Sequence, residues 1–364
     1  MFRNVITFAI VTFACLVFPV ASVAQPSLPA MEQRIFLYGG DSSSDAPLAA
    51  WYREIGLTDV WVYPVRGAFP QDQDPRSQRT VEDLNNTGVL PAYRAHQLGI
   101  WWFERPVPDI LYVQFAIGFP SQKDSIWGNT READETWANI ASKIRSAYGE
   151  VRKAGFQGIV YDTEAYYSYD RDHRVWLWQG HDNQLGTKGE YYKRGLEIGR
   201  AIHDVWPNAP VVIVYAFGYD GEYWWYKGIQ DGGTDLYLGI EHTYGAGPVH
   251  QGDQWYQHWW QGRDLVQTVS QKMKIFDFLP DHNHIIAGLF PIDFGSKSPN
   301  YEFRYFKQQL DQAKEAYKNQ SLSVWIWPQG PFSPGAWSEV KLPSGENPQE
   351  YWNALIEFSH TRAR

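Results

Sequence analysis

The chain has 364 residues, with 32 Lys and Arg against 41 Asp and Glu and a formal net charge of −9. Charged residues make up 20% and hydrophobic residues 44%, a globular composition that excludes a largely disordered chain. The acidic balance argues against a protein that binds duplex DNA, which needs clustered positive charge. The single cysteine excludes a zinc finger and a disulfide scaffold.

Residues 1–24 have the pattern of a secretory signal peptide. Arg3 precedes a largely apolar run over residues 5–20, and small residues at 22–24 suit a signal peptidase. Because the run is too short to span a bilayer securely, we expect cleavage after Ala24 and a secreted or periplasmic mature chain over residues 25–364. A retained membrane anchor is the alternative. Cleavage would also remove Cys15 and leave no thiol.

Eight short β-rich apolar runs follow along the chain, most of them followed by Gly, Pro or acidic residues. They are Arg34–Tyr38, Asp59–Tyr63, Ile110–Ile117, Gly158–Tyr161, Val211–Phe217, Asp235–Ile240, His284–Phe290 and Leu322–Trp327. Continuous apolar runs of this length are typical of strands that are buried on both faces, as in parallel sheets.

Apolar residues at helical spacing lie between several of these runs. The clearest cases are residues 137–151, 196–205 and 303–317, and Gly155 is placed to end the first of these helices. The repeated alternation of strand and helix predicts one α/β domain, a (β/α)8 TIM barrel with long βα loops. A doubly wound open sheet is the alternative, although no nucleotide-binding glycine motif follows an early strand.

Catalytic residues of such barrels lie at the carboxyl ends of the strands, and three acids occur there. Asp162 and Glu164 follow the fourth strand, and Glu241 follows the sixth. Strand alternation places Asp162 and Glu164 on the same side, and Glu241 is positioned to face them across the barrel. Paired carboxylates are what hydrolysis of a glycosidic bond requires. The alternative is that these acids are solvated or form structural ion pairs.

The segment Gln157–Glu164, QGIVYDTE, resembles the fourth-strand signature of family 18 chitinase-like barrels, approximately DG(I/L)DxDxE. The matching positions are Gly158, Ile159, Asp162 and Glu164. Gln157 and Val160 stand where that signature has acids. The resemblance implies Glu164 as the acid, Asp162 as its modulator and the substrate's N-acetyl group as the nucleophile.

Residues 155–163, GFQGIVYDT, are also similar to the fourth-strand segment of the endo-α-1,4-galactosaminidase group, glycoside hydrolase family 114. Those barrels carry an Asp after the fourth strand and a Glu near the sixth. This resemblance implies Asp162 and Glu241 as the catalytic pair, with Glu164 as an auxiliary acid. Both resemblances share Asp162 and a barrel glycosidase.

Aromatic side chains in the loops are candidates for stacking against sugar rings, and polar residues beside them for binding hydroxyl groups. The expected substrate-binding residues are Asp41, Arg66, Tyr166, Tyr215, His242, Tyr244 and Trp327. Aromatic clusters at 101–103 and 223–226 are further candidates, with packing around the barrel as the alternative for about half of all Trp residues. Long aromatic loops predict an extended groove and an endo-acting enzyme.

The sequence thus predicts a secreted, monomeric glycoside hydrolase that cleaves a polysaccharide without a cofactor, a metal or nucleic acid, and without membrane contact after signal cleavage. Two alternatives remain, a non-catalytic carbohydrate-binding barrel and a metal-dependent barrel hydrolase. The histidines at 282 and 284 are candidate metal ligands, but they precede the seventh strand and therefore lie at the end of the barrel opposite the expected site.

Overall fold

The computed structural model describes residues 34–41, 45–63, 80–104, 128–162, 169–170, 175–176, 187–214, 220–240, 265–289, 303–319, 322–326 and 347–362. Its centre is a closed barrel of eight parallel strands, which confirms the predicted (β/α)8 fold. The barrel strands are β1 (Ile35–Asp41), β2 (Asp59–Tyr63), β3 (Gly99–Glu104), β4 (Gly158–Asp162), β7 (Pro210–Val214), β8 (Asp235–Ile240), β9 (Ile285–Leu289) and β10 (Ser323–Ile326). Each strand pairs with its neighbours in chain order, and β10 closes the ring against β1.

A two-stranded antiparallel hairpin, β5 (Tyr169–Asp170) and β6 (Val175–Trp176), lies in the connection after β4 and is not part of the barrel. The sixth barrel strand is therefore β8. The helices of the described residues are α1 (Asp45–Glu54), α2 (Val81–Asn86), α3 (Val89–Ala95), α4 (Arg131–Lys153), α5 (Lys188–Val205), α6 (Asp220–Asp231), α7 (Leu265–Ile275), α8 (Phe303–Asn319) and α9 (Pro348–Arg362). Within those residues, no helix combines the length and the apolar character needed to cross a membrane.

The helix ends follow local chemistry. Thr130 caps the first turn of α4, and Gly155, with a positive φ of 81°, lies just beyond its last turn as predicted. Thr187 and Glu190 form a reciprocal capping box at the start of α5. The three helices predicted from apolar spacing are thereby confirmed as α4, α5 and α8.

The third barrel strand differs from the prediction. It is Gly99–Glu104, GIWWFE, which pairs with β2 on one side and β4 on the other, whereas Ile110–Ile117 lies outside the described residues. The tryptophan pair suggested a sugar-binding loop, but successive side chains of this segment point alternately into and out of the barrel, as in a strand. Trp101 and Phe103 lie inside the barrel, and Trp102 packs outward. All three are buried, so the proposed sugar platform at 101–103 is wrong.

The barrel interior is a packed aromatic core and not a channel. Phe36, Trp61, Trp101 and Trp325 are fully or almost fully buried there, and the rings of Trp61 and Trp325 stack with centroids 5.8 Å apart. A methyl group at Gly288 would lie 2.6 Å from the Trp325 ring, so this position has to lack a side chain. A substrate therefore has access only to an end of the barrel.

Polar residues close the amino-terminal end of the barrel. Arg34 forms a buried ion pair with Asp59 at 3.0 Å, and the Trp101 indole donates to the same Asp59 oxygen at 2.8 Å. His284 lies between Asp235 and Asp281, at 3.2 Å and 2.9 Å. The predicted position of the His-Asn-His segment, at the end opposite the strand carboxyl ends, is confirmed because it forms a 3-10 turn directly before β9.

Helices α5 and α6 approach each other closely through glycines. A methyl group on Gly199 would lie 2.3 Å from the Ile229 carbonyl oxygen, and one on Gly195 would lie 2.1 Å from that of Trp225. Such distances leave no space for any side chain on this face of α5. The contact fixes α6, whose first turn follows β7, against the outside of the barrel.

Candidate active site

Asp162 is the last residue of β4 and lies at the carboxyl end of the barrel. Along β4, Ile159 and Tyr161 pack outward toward the helices, while Val160 packs inward. Strand alternation therefore directs Asp162 inward. Its side chain is 0% exposed, so the carboxylate that follows the apolar run Ile159–Tyr161 lies buried at the carboxyl end of the barrel core. A buried carboxylate of this kind has to be hydrogen-bonded to be stable.

The hydroxyl of Tyr38 donates a hydrogen bond to Oδ2 of Asp162 at 2.6 Å. Tyr38 lies on β1, and β2 and β3 separate it from β4 on the shorter way round the barrel. Its ring therefore crosses the interior to reach the carboxylate. Sequence reasoning missed Tyr38, because only the closed barrel brings residues 38 and 162 together.

The remaining predicted site residues are not placed by the structure. Asp41 is the last residue of β1, at the same end of the barrel as Asp162, but its side chain lies outside the described residues. The others lie entirely outside them: Glu164, Tyr166, Glu241, Tyr215, His242, Tyr244, Trp327 and Arg66. Their roles stay predictions from the sequence.

A second buried carboxylate at this end of the barrel is Glu104, the last residue of β3 and 1% exposed. The Tyr148 hydroxyl of α4 donates to it at 2.5 Å, and the Tyr161 hydroxyl lies 2.7 Å from that of Tyr148. The Tyr148 hydroxyl has one hydrogen, which it donates in the hydrogen bond to Glu104. The Tyr161 hydroxyl is therefore the donor in the hydrogen bond to Tyr148. The three groups form a chain between the barrel and α4, outside the core that holds Asp162.

Burial, followed by the charge of Glu104, raises the pKa of Tyr148 well above its usual value. The same two causes in the same order raise the pKa of Tyr161. Both phenols therefore stay protonated and act as donors throughout the ordinary pH range. The sequence carried a signal for Glu104, since it ends the apolar run IWWF just as Asp162 ends the run IVY.

The described residues contain one further buried acid near this end, Glu222 in the first turn of α6, immediately after the βα connection from β7. Two of these acids end β3 and β4, and the third lies in the helix that follows β7, so the three belong to adjacent strand–helix units of the barrel. The fourth buried acid, Asp59, lies at the opposite end. Among the described residues, no group of three His, Cys, Asp or Glu is placed to hold a metal ion.

The aromatic cluster at 223–226 is part of α6 and not a loop. Trp225 and Tyr226 are buried against the barrel, and the half-buried Tyr223 donates to Asp277 at 2.7 Å. Trp224 is partly buried against the same core. These rings pack the helix onto the strands, so the second proposed sugar platform is also wrong.

Comparison with known proteins identifies the fold and no family. No family model and no curated protein sequence matches the chain. Among solved structures, a β-galactosidase from Marinomonas ef1 has a TM-score of 0.51 at 8% identity, over 90% of this chain and 59% of its own. An endoglucanase gives 0.47 at 10% identity, over 88% of this chain and 96% of its own. A psychrophilic family 10 endo-β-1,4-xylanase gives 0.49 at 13% identity, over 89% and 96%.

Proposed function

We propose that the protein is a glycoside hydrolase in which Asp162 is one of two catalytic carboxylates. One observation carries the proposal: a fully buried carboxylate points into the barrel at the carboxyl end of β4, where a tyrosine hydroxyl holds it. This is the end at which barrel enzymes bind substrate and carry out chemistry. The fold shared with the β-galactosidase supports this function only at the level of architecture.

Glu241 is the proposed partner of Asp162. It directly follows β8, in which Tyr237 packs inward, and it has the same parity as Tyr237 along the chain. Glu164 is the second candidate, because it follows Asp162 by two positions. Under the family 18 resemblance Glu164 is the acid, and under the family 114 resemblance it assists the pair of Asp162 and Glu241.

The reaction requires one carboxyl group to protonate the leaving glycosidic oxygen and another to attack the anomeric carbon or activate water. Carboxyl groups about 5–5.5 Å apart give retention of anomeric configuration, and groups about 6.5–9.5 Å apart give inversion. The anomer of the first product therefore reports the separation of Asp162 from its partner. An N-acetyl nucleophile would restrict the substrate to N-acetylated sugars.

The proposed substrate is a polysaccharide cleaved internally, in keeping with the aromatic content of 16% and the predicted long loops. The proposed location is secreted or periplasmic, with a monomeric mature chain that begins at Gln25. The intact mass of the protein recovered from an exporting host tests the cleavage site. Light scattering of the same preparation tests the oligomeric state.

The catalytic proposal is tested with the mature chain on cellulose, xylan, chitosan, starch and sulfated carrageenan, with analysis of the products. On the polymer that is cleaved, Asp162→Asn should lower kcat by about 10³-fold or more, and Glu241→Gln by a similar factor. Glu164→Gln tests the second candidate. Asp204→Asn is the matched control, since Asp204 is an exposed acid at the end of α5 away from the site.

Full activity of all three amide variants would refute the carboxylate assignment. Binding of a polymer without cleavage by the wild-type chain would support the alternative of a non-catalytic carbohydrate-binding barrel. Loss of activity in EDTA, restored by a divalent cation, would support the metal-dependent alternative. Melting temperatures close to that of the wild type are needed for each variant to count.

A further inference from the structure

We propose that Tyr38 is a positioning residue for Asp162, and that it holds this carboxyl group as the hydrogen-bond acceptor that serves as nucleophile or base. The inference rests on the proposed function and assigns a role that the sequence left open between the two carboxylates. It stands on three observations: the hydrogen bond, the packing of the Tyr38 ring and the position of both residues across the barrel.

The hydrogen bond is short and joins two non-adjacent strands across the interior of the barrel. The Tyr38 hydroxyl donates to Oδ2 of Asp162 at 2.6 Å, within the range of bonds from a hydroxyl to a carboxylate anion. Tyr38 comes from β1 and Asp162 from β4, with two strands between them on the shorter side. The orientation of the carboxylate is therefore set by a residue far from it in sequence and on another part of the ring.

Aromatic packing fixes the Tyr38 ring itself. Its centroid lies 5.0 Å from that of Phe103, 5.8 Å from Trp61 and 5.9 Å from Trp325. These rings come from β3, β2 and β10. The Tyr38 ring is therefore enclosed by rings from both strands that flank β1, which are β2 and β10, and by a ring from β3. A side chain with two rotatable bonds held in this way presents its hydroxyl at one place in the barrel. That place determines where Oδ2 of Asp162 lies.

The donor identity assigns the chemical role. The Tyr38 hydroxyl is the donor and Oδ2 of Asp162 is the acceptor, which is the arrangement that suits a carboxyl group acting as nucleophile or base. In that role Asp162 gives no proton to a leaving oxygen. Protonation of the leaving group therefore falls to the partner carboxyl group, for which Glu241 is the candidate.

The bonds balance in either version of the step. In a retaining enzyme, an Asp162 oxygen bonds to the anomeric carbon as the glycosidic bond breaks and the leaving oxygen takes the partner's proton. Water then displaces Asp162 and returns a proton to the partner. In an inverting enzyme, Asp162 takes a proton from water while the water oxygen bonds to the anomeric carbon and the leaving oxygen again takes the partner's proton.

The test compares kcat and KM of the wild type, Tyr38→Phe, Asp162→Asn and the double variant on the polymer that the wild type cleaves. Tyr237→Phe is the matched control: it removes a hydroxyl from another inward-facing tyrosine, one that donates to Asp235 at the amino-terminal end of the barrel. We expect Tyr38→Phe to lower kcat by about 10- to 100-fold with KM within about twofold, and Tyr237→Phe to leave both within about twofold.

Dependence through Asp162 is tested by the double variant, whose kcat should equal that of Asp162→Asn alone if Tyr38 affects the reaction through that carboxylate. A factor for Tyr38→Phe that is unchanged in the Asp162→Asn background would overturn the proposal. If Tyr38→Phe does not fold, 4-aminophenylalanine at position 38 keeps the ring and a donor. It should restore most of the wild-type kcat, and a folded 4-aminophenylalanine protein with the low kcat of Asp162→Asn would contradict the positioning role.

The role of Asp162 as nucleophile or base is tested with 2,4-dinitrophenyl and phenyl glycosides of cellobiose, xylobiose, chitobiose and maltose. A dinitrophenolate leaves without protonation, so loss of an acid is largely compensated on that substrate, whereas loss of a nucleophile or base is not. Asp162→Asn should therefore be as defective on the dinitrophenyl as on the phenyl glycoside. Recovery on the dinitrophenyl glycoside alone would make Asp162 the acid and refute the assignment.

The outcomes separate this inference from the proposed function. A fully active Asp162→Asn variant refutes the catalytic proposal itself. An inactive Asp162→Asn variant combined with a fully active Tyr38→Phe variant refutes only the positioning role of Tyr38.

Discussion

The close contact between α5 and α6 predicts that one substitution, glycine to alanine, changes stability in opposite directions at two helical positions. At Gly199 of α5 a methyl group would lie 2.3 Å from the Ile229 carbonyl oxygen and 2.9 Å from the Gly232 Cα atom. At Gly149 of α4 nothing lies within 4 Å of the added methyl group. Neither glycine has a positive φ, so the comparison isolates space from backbone strain.

The magnitude follows from these distances. An ordinary contact of a methyl carbon begins at 3.4 Å, so α5 and α6 have to separate by about 1 Å at Gly199. Overpacking of this size costs about 3 kcal/mol, and the gain in helix propensity from glycine to alanine offsets about 1 kcal/mol. Gly199→Ala should therefore lower the free energy of unfolding by about 2 kcal/mol, while Gly149→Ala should raise it by about 1 kcal/mol.

Urea unfolding followed by far-ultraviolet circular dichroism measures both changes on the mature chain. The two midpoints should lie on opposite sides of the wild-type midpoint, with similar slopes. A Gly199→Ala protein as stable as Gly149→Ala would show that the two helices separate freely. The close approach would then not fix α6 against the barrel.

Two further predictions concern buried polar groups. Burial lowers the pKa of His284, but the hydrogen bonds that its ring donates to the two flanking carboxylates outweigh burial and leave the pKa raised. The stabilising contribution of His284 is therefore complete below the unfolded pKa of 6.5 and is lost as pH rises through the higher folded value. The difference in free energy of unfolding between wild type and His284→Gln should therefore shrink from about pH 6 to about pH 9. A difference that does not change with pH would contradict the ion-pair contribution and attribute the stabilisation to the stacking of His284 on Tyr237. Tyr148→Phe should lower the free energy of unfolding by about 1.5–3 kcal/mol, because it removes the buried donor to Glu104. The control Tyr192→Phe removes an exposed hydroxyl and should change the free energy of unfolding by less than about 0.5 kcal/mol. Equal shifts of the urea midpoint in the two variants would contradict the role of the buried network.

Much of the fold could be read from the sequence because it depends on local periodicity. Continuous apolar runs identified seven of the eight barrel strands, and β2 and β8 have the predicted bounds. Apolar residues at helical spacing identified α4, α5 and α8, and the rule that chemistry lies at the carboxyl ends of strands singled out Asp162. Each of these signals resides in fewer than about 25 consecutive residues.

The third strand shows where local reading fails. GIWWFE is a continuous apolar run that ends in an acid, like the other strands, but its tryptophans suit a sugar-binding loop equally well. The longer apolar run Ile110–Ile117 also competes with it. Only pairing with β2 and β4 decides between the two segments. The same holds for Trp225 and Tyr226, whose burial depends on which face of α6 meets the barrel.

The sequence by itself determined the alternation of strands and helices, the apolar runs that become the barrel wall, and an acid at the end of the fourth strand. The tertiary structure alone decided that this acid is buried and that Tyr38 reaches it from across the barrel. It also decided that, on the outer side, Glu104 accepts from Tyr148, which in turn accepts from Tyr161. The reason is physical: strand propensity acts over neighbouring residues, whereas a hydrogen bond between residues 38 and 162 exists only once the sheet has closed.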